Sequence, residues 1–358
     1  MRGLARLSAL VARPSRDGER IGVLPLFVLG AAASVLAGLC IGAFPVGLPQ
    51  LAAAIGLGDR PLDDTTAAVL FAIRAPRILA AFAVGAALAA SGAALQSLFR
   101  NPLADPGLLG VSSGAALAAV SVIVVGERVM HVLPPDLRPW LLPFAAFLGG
   151  LVSTVLVYRL AARDGITLVG TLLLAGIAVN ALAAAGIGLL VFVADDQQLR
   201  TLIFWTMGGF GGLTWASIVP TLVVLAVTVP TLLPAAHLLD ALALGEREAG
   251  HVGVDVERLK RRLVAQVALA VGAGVAIAGT VGFVGLVAPH IVRLLLGPAH
   301  RTLLPAAALF GGAFLVLADA LARTLVAPAE LPIGVLTALV GGPFFLWLLA
   351  GRAAREGL

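Results

Sequence analysis

Ten apolar runs, most of them about as long as a bilayer requires of a helix, limit this chain more than any other feature. They fall at roughly 21–44, 76–98, 107–126, 140–161, 168–193, 214–236, 263–281, 284–296, 303–323 and 332–350, with short polar connections between them. Backbone in hydrocarbon must satisfy its own hydrogen bonds, so runs of this kind become helices. Composition excludes an ordinary soluble domain, because 60% of the residues are hydrophobic and 12% charged, about half the usual charged share. The expected architecture is all-α and polytopic, with one membrane domain over 21–358 and a basic tail over 1–20.

Punctuation within the runs is informative. Arg74 and Arg77 stand at one mouth of the run 76–98 and Arg100 at the other, and the polar break RNPLADPG follows. Pro102 and Pro106 each remove a backbone donor and disfavour helix in the residue before, so a short turn is expected there. Gly282, Gly285 and Pro289 predict a sharp reversal between the seventh and eighth runs. The stretches GAALAASG from Gly85 and GAGVAIAG from Gly272 lie five spans apart, and an odd separation reverses direction across the membrane. A duplicated unit of that kind is an inverted repeat. The competing explanation is a shared Ala/Gly bias serving close helix packing, as at Gly38/Gly42 and Gly110/Gly114.

Charge sets the orientation. With ten spans and the N-terminus inside, 16 of the 24 basic residues fall on the cytoplasmic side and 7 outside, with Arg293 inside the eighth run. That bias supports two cytoplasmic termini and explains a pI near 10.8 without nucleic acid. Arginines at 2, 6, 13, 16 and 20 interrupt the N-terminal stretch, which reads as a retained tail rather than a secretory signal.

Lys260 is the only lysine, and no GxxxxGK[ST] occurs, so a phosphate-binding loop cannot be built. No catalytic constellation is visible either, and the lone Cys40 excludes a disulfide within the chain. The five histidines, His131, His237, His251, His290 and His300, are scattered, which suits structural roles. Asp105, Asp240 and Asp319 lie near span ends, where capping or pairing accounts for them better than a proton relay. A chain this poor in its own coupling machinery points to a partner that supplies energy. The charged segment 240–262, divided by Gly245, Gly250 and Gly253, is either a solvated loop or the place where that partner docks. A secondary carrier would instead work alone on an ion gradient, and an intramembrane enzyme would need a catalytic cluster.

The motifs RAPR…GAALAASGAALQSLFRNPLADPGLLGVSSGAALA and VGFVGLVAPHIVRLLLGPAHRTLLP…ADALAR…ELPIGVLTALVGGPFFLWLL closely resemble the permease subunits of bacterial ABC importers for ferric siderophores, haem and cobalamin. The resemblance spans nearly everything after Ile21. It implies an inverted-repeat type II importer fold and a homodimer in the bacterial inner membrane, with the path between the two copies. Two cytoplasmic ATPase subunits and a periplasmic substrate-binding protein would complete the importer, and this subunit would not be an enzyme. The segment ADDQQLRTLIFWTMGGFGG at 194–212 looks most like the haem importers, so haem is the expected cargo, with no resident cofactor or metal; ferric siderophore and cobalamin are the alternatives.

By the same resemblance, Arg74, Arg77 and Arg323 match positions that dock carboxylates of the binding protein. The competing reading is interfacial snorkelling or pairing with neighbours such as Glu330. Asn101 and Leu103 match a cytoplasmic gate, with Leu168 and Val169 apolar where cobalamin permeases carry hydroxyls. Leu244, Gly245, Glu246 and Gly250 fall in the segment expected to couple to the ATPase.

Overall fold

A computed structural model describes residues 22–57, 62–126 and 131–356. The expected tail over 1–20 lies outside the described residues, as do Arg60 and Arg128. The helices are α1 (Leu24–Cys40), α2 (Leu48–Ala54), α3 (Asp64–Leu98), α4 (Val111–Val125), α5 (Arg138–Ala161), α6 (Val169–Val193) and α7 (Asp196–Met207). They continue as α8 (Trp215–Thr228), α9 (Ala236–Leu244), α10 (Glu246–His251), α11 (Val256–Ala278), α12 (Val284–Leu296), α13 (His300–Ala322) and α14 (Ile333–Glu356). Among the described residues 6 helical segments are long and apolar enough to cross a membrane, and shorter apolar helices occupy the remaining expected runs.

Three features depart from the hydropathy reading, each for a local reason. Helix α3 starts at Asp64, well before the apolar run, because Asp63 caps it by accepting the Thr66 N–H at 2.9 Å and a π-helical turn over Val69–Arg74 carries the chain into the span. The sixth run bends after Thr228 through a 3-10 turn, Pro230–Ala235, whose two prolines cannot donate to a regular helix. Helix α7 is too short and polar to register as a span. It begins with a capping box in which Asp195 and Gln198 satisfy each other's backbone N–H groups.

The expected reversal is present: α11 stops at Ala278 and α12 starts at Val284. Helix α12 begins partway along α3, where a side chain on Gly92 would stand 1.8 Å from the Gly285 carbonyl oxygen. Only glycine allows two backbones that close. Helices α3, α11 and α13 form the centre, their apolar windows 78%, 72% and 61% buried, against 28% for α5 and 17% for α6. The outer faces of α5 and α6 are therefore left for lipid or another chain.

Connectivity gives the bundle two ends. One carries Arg74, Arg77 and Arg323 and is called the arginine end; the opposite one carries Lys260 and the segment α9–α10.

Candidate functional site

At the arginine end a carboxylate from α13 meets guanidinium groups from α3 and from just beyond α13. Arg77 donates from Nε and Nη2 to Asp319 at 2.9–3.0 Å, and from Nη1 and Nη2 to Glu330 at 2.7 and 3.0 Å. One planar fork thus holds two carboxylates side by side. Arg323 Nε lies 3.3 Å from Asp319 Oδ2, and its Nη2 donates to the Gly38 carbonyl at 3.0 Å. Arg74 donates to the carbonyls of Leu39 at 2.6 Å and Cys40 at 3.2 Å, and to that of Phe44. Arg74 and Arg323 therefore satisfy carbonyls at the C-terminus of α1, where a helix leaves them unpaired and where a cation is favoured.

The three arginines expected as a presented basic surface are buried in this chain, each less than one-tenth exposed, and Asp319 is 1% exposed. Of the three, Arg77 alone bonds Glu330, while Arg74 is held by backbone carbonyls and Arg323 by Asp319 and the Gly38 carbonyl. The cluster has three guanidinium groups against two carboxylates and so keeps one positive charge in excess. Its outermost member is Glu330, whose side chain is 46% exposed and whose carboxyl is held below its usual range, chiefly by the Arg77 hydrogen bonds.

At the lysine end two turns carry the expected gate residues. In the first, Arg100 adopts a left-handed conformation with φ 46°, and the Asn101 side chain accepts the Leu103 N–H at 3.0 Å. Asp105 then caps the 3-10 turn Pro106–Leu109 through the Gly107 N–H at 2.8 Å. Asn180 of α6 donates to the Gly107 carbonyl at 3.1 Å and accepts from Ser113 at 2.5 Å, which ties this turn to the fifth span.

The second turn is a hairpin that hydropathy does not show. Ala162–Arg163 pairs with Ile166–Thr167, and Asp164 and Gly165 form the loop with φ of 53° and 80°. Asp-Gly is a favoured pair for that two-residue geometry, so the signal was in the sequence. Leu168 and Val169 follow at the start of α6, with Leu168 58% exposed.

The segment expected to couple folds as α9 and α10, joined at Gly245, whose φ of 144° suits glycine. Its anchor is Lys260, the chain's single lysine, 1% exposed. The Nζ donates to Glu246 Oε2 and the Thr167 carbonyl at 2.7 Å each, and to Glu257 Oε1 at 3.0 Å. Glu257 in turn accepts the Thr167 N–H at 2.8 Å. Three donors meet three acceptors, so a buried ammonium is satisfied and α10, α11 and the hairpin before Leu168 are locked together. Leu244 and Val252, at either end of α10, are 77% and 72% exposed.

This arrangement can be set against known proteins. The model of the FecCD transport family matches residues 30–351. The chain belongs to the FecCD transport family. Across that family, the hemin transport system permease protein HmuU of Yersinia pestis is 45% identical over 339 residues, covering 94% of this chain and 99% of the relative. The cobalamin import system permease protein BtuC of Halobacterium salinarum is 44% identical over 294 residues, 82% of this chain and 76% of the relative. Among solved structures, a metal-chelate type ABC transporter in an inward-facing conformation superposes with a TM-score of 0.81 at 32% identity, covering 92% of this chain and 99% of that one. This FecCD chain is thus a transmembrane permease subunit of an ABC importer with the type II importer fold.

Proposed function

We propose that this FecCD permease carries haem inward as one half of a homodimer in the inner membrane, with both termini cytoplasmic. The observation that carries the cargo is the 45% identity to a hemin permease along nearly the full length of both chains. The subunit itself is non-catalytic: two ATPase subunits engage Leu244, Gly245, Glu246 and Gly250 at the lysine end, and a substrate-binding protein docks at the arginine end. The exposed Leu244 and Val252 support the first contact, and the excess positive charge of the arginine cluster supports the second. The narrow exit lies at Asn101 and Leu103, with Leu168 and Val169 at the start of α6 after the hairpin. The second copy covers the weakly buried face of α6, so the path runs between two smooth apolar walls. A large planar cargo needs such walls more than fixed ligands, because tight ligation would prevent release.

The test is the complete importer in liposomes, supplied in turn with haem, cobalamin and a ferric siderophore bound to its binding protein. Haem should stimulate ATP hydrolysis and enter the lumen. Stimulation by cobalamin or siderophore with none by haem would overturn the cargo, and uptake that persists without any ATPase subunit would overturn the mechanism.

A further inference from the structure

The end of α3, the start of α13 and the middle of α9 meet at the lysine end around one buried imidazole. Ser97 Oγ is 2.6 Å from His300 Nε2, and Asp240 Oδ1 is 2.6 Å from His300 Nδ1. The same Asp240 oxygen accepts the backbone N–H of His300 at 3.0 Å. His300 is the first residue of α13, and Ala299 before it offers no side-chain cap, so Asp240 caps this helix from a different element. A single tautomer satisfies every group, with Nδ1–H donating to Asp240 and Nε2 accepting the Ser97 hydroxyl proton.

The order Ser–His–Asp is that of a nucleophilic triad, but the setting does not suit that chemistry. Ser97 sits within α3, where the neighbouring backbone N–H groups are committed to the helix and cannot stabilise an oxyanion. What the chain of bonds does is join α9 and α13 to the end of α3. Asp240 is five residues before Gly245 on the unbroken helix α9. On the other side, the Arg100 N–H bonds the Ser97 carbonyl at 3.1 Å and the Asn101 N–H bonds the Gln96 carbonyl at 3.0 Å, so the turn 101–103 hangs from the residues that hold His300.

Packing joins these elements too, since close-packed interiors transmit strain, but apolar contacts leave the register of α9 least defined. Leu239 and Leu242 bury α9 in the core, and apolar burial by itself is non-directional. A cavity of about 570 Å³ lies between the end of α3 and α9, bordered by Ser97, Arg100, Asp240, Leu244 and His300, and the Arg100 guanidinium closes part of it beside Gly245. Beside that cavity the hydrogen bonds, which are directional, fix the register of α9 against the end of α3.

We propose that His300 is the positioning residue that carries movement of the segment 244–251 to the turn 101–103, through Asp240 on one side and Ser97 on the other. The inference rests on the assignment of those two segments to ATPase engagement and to the exit. The test uses the full importer carrying Leu103→Cys in a Cys40→Ser chain, with maleimide labelling at position 103 followed with and without ATP. His300→Asn retains an amide near Nδ1 and keeps the Asp240 bond alone, while His300→Gln reaches the Nε2 position and keeps the Ser97 bond alone. Both should leave ATP hydrolysis running while the effect of ATP on labelling falls about five-fold or more, the size of a typical coupling between sites. Ser97→Ala and Asp240→Asn should give the same loss. Variants that melt earlier yet keep the parent's response to ATP would show a structural role only and overturn the proposal. Gly245→Pro separates the premises: if it keeps the response, the coupling segment is misassigned and the inference falls with it. If it loses the response while both His300 variants keep it, the inference alone is wrong.

Discussion

Arg77→Glu is expected to prevent accumulation of folded permease. Three carboxylates, the new one with Asp319 and Glu330, would crowd a site in which Asp319 is 1% exposed. Losing one member of a buried pair costs about 3–5 kcal/mol, and reversing its sign costs more. The measurement is the fraction of monodisperse protein after detergent extraction, with its melting temperature. Wild-type yield and melting would show that the cluster contributes nothing to the fold.

Charge reversal at Arg77 therefore cannot by itself test docking, whereas Glu330→Gln can. Glu330 is half exposed, so its loss costs the fold about 1 kcal/mol or less, and Arg77 keeps Asp319. The change removes a negative charge from the mouth, raising its net charge by one, and weakens the hold on one edge of the guanidinium. If the substrate-binding protein brings carboxylates here, its association should quicken and depend more steeply on salt. Unchanged association at low and high salt would argue that docking lies elsewhere. The pH dependence has a defined sign. Glu330 is depressed in the folded state, so its contribution is present above the ordinary glutamate value of about 4.3 and is lost as pH falls through the lower folded value.

Lys260→Met is expected to uncouple hydrolysis from transport and to destabilise the lysine end. Methionine fills the space of the buried stem but leaves the Thr167 carbonyl and two carboxylates without their shared donor. Glu246 and Glu257 are 39% and 32% exposed and regain some water, so the cost should be roughly 2 kcal/mol, below the ~3–5 kcal/mol of a fully buried pair. The functional effect should be larger. With Glu246 released, α10 is no longer fixed to the hairpin that leads to Leu168 and Val169, and ATP hydrolysis should continue without import. Lys260→Arg keeps the charge, but its planar fork does not reproduce three radiating donors, so only partial recovery is expected. Import per ATP is the readout, and full import by the methionine variant would refute the link.

Much of the membrane architecture was readable beforehand because hydrocarbon imposes a single rule on every residue in it. A run of apolar side chains must be helical whatever it packs against, so the spans, the proline-flanked turn after Arg100 and the reversal before Val284 follow from local chemistry. The missing phosphate loop is equally local. Helix α7 escaped because its 12 residues are amphipathic and cross nothing, and the Asp164–Gly165 hairpin went unread between two strong spans although its turn chemistry is explicit.

What the sequence could not decide is which polar groups meet. Arg77 is 242 residues from Asp319, Lys260 is 93 from Thr167, and Ser97 is 203 from His300. No periodicity links such pairs, and an arginine beside a span is equally suited to an external partner or to a carboxylate from another helix. The outcome depends on the distance to which α3 and α13 approach, which small residues along both helices set. The sequence by itself determined an all-α membrane permease with ten apolar helical runs. Only the tertiary structure turned Arg77 inward onto Asp319 and Glu330 and made the single lysine a buried junction, because a buried charge is tolerated only where packing delivers its counterions.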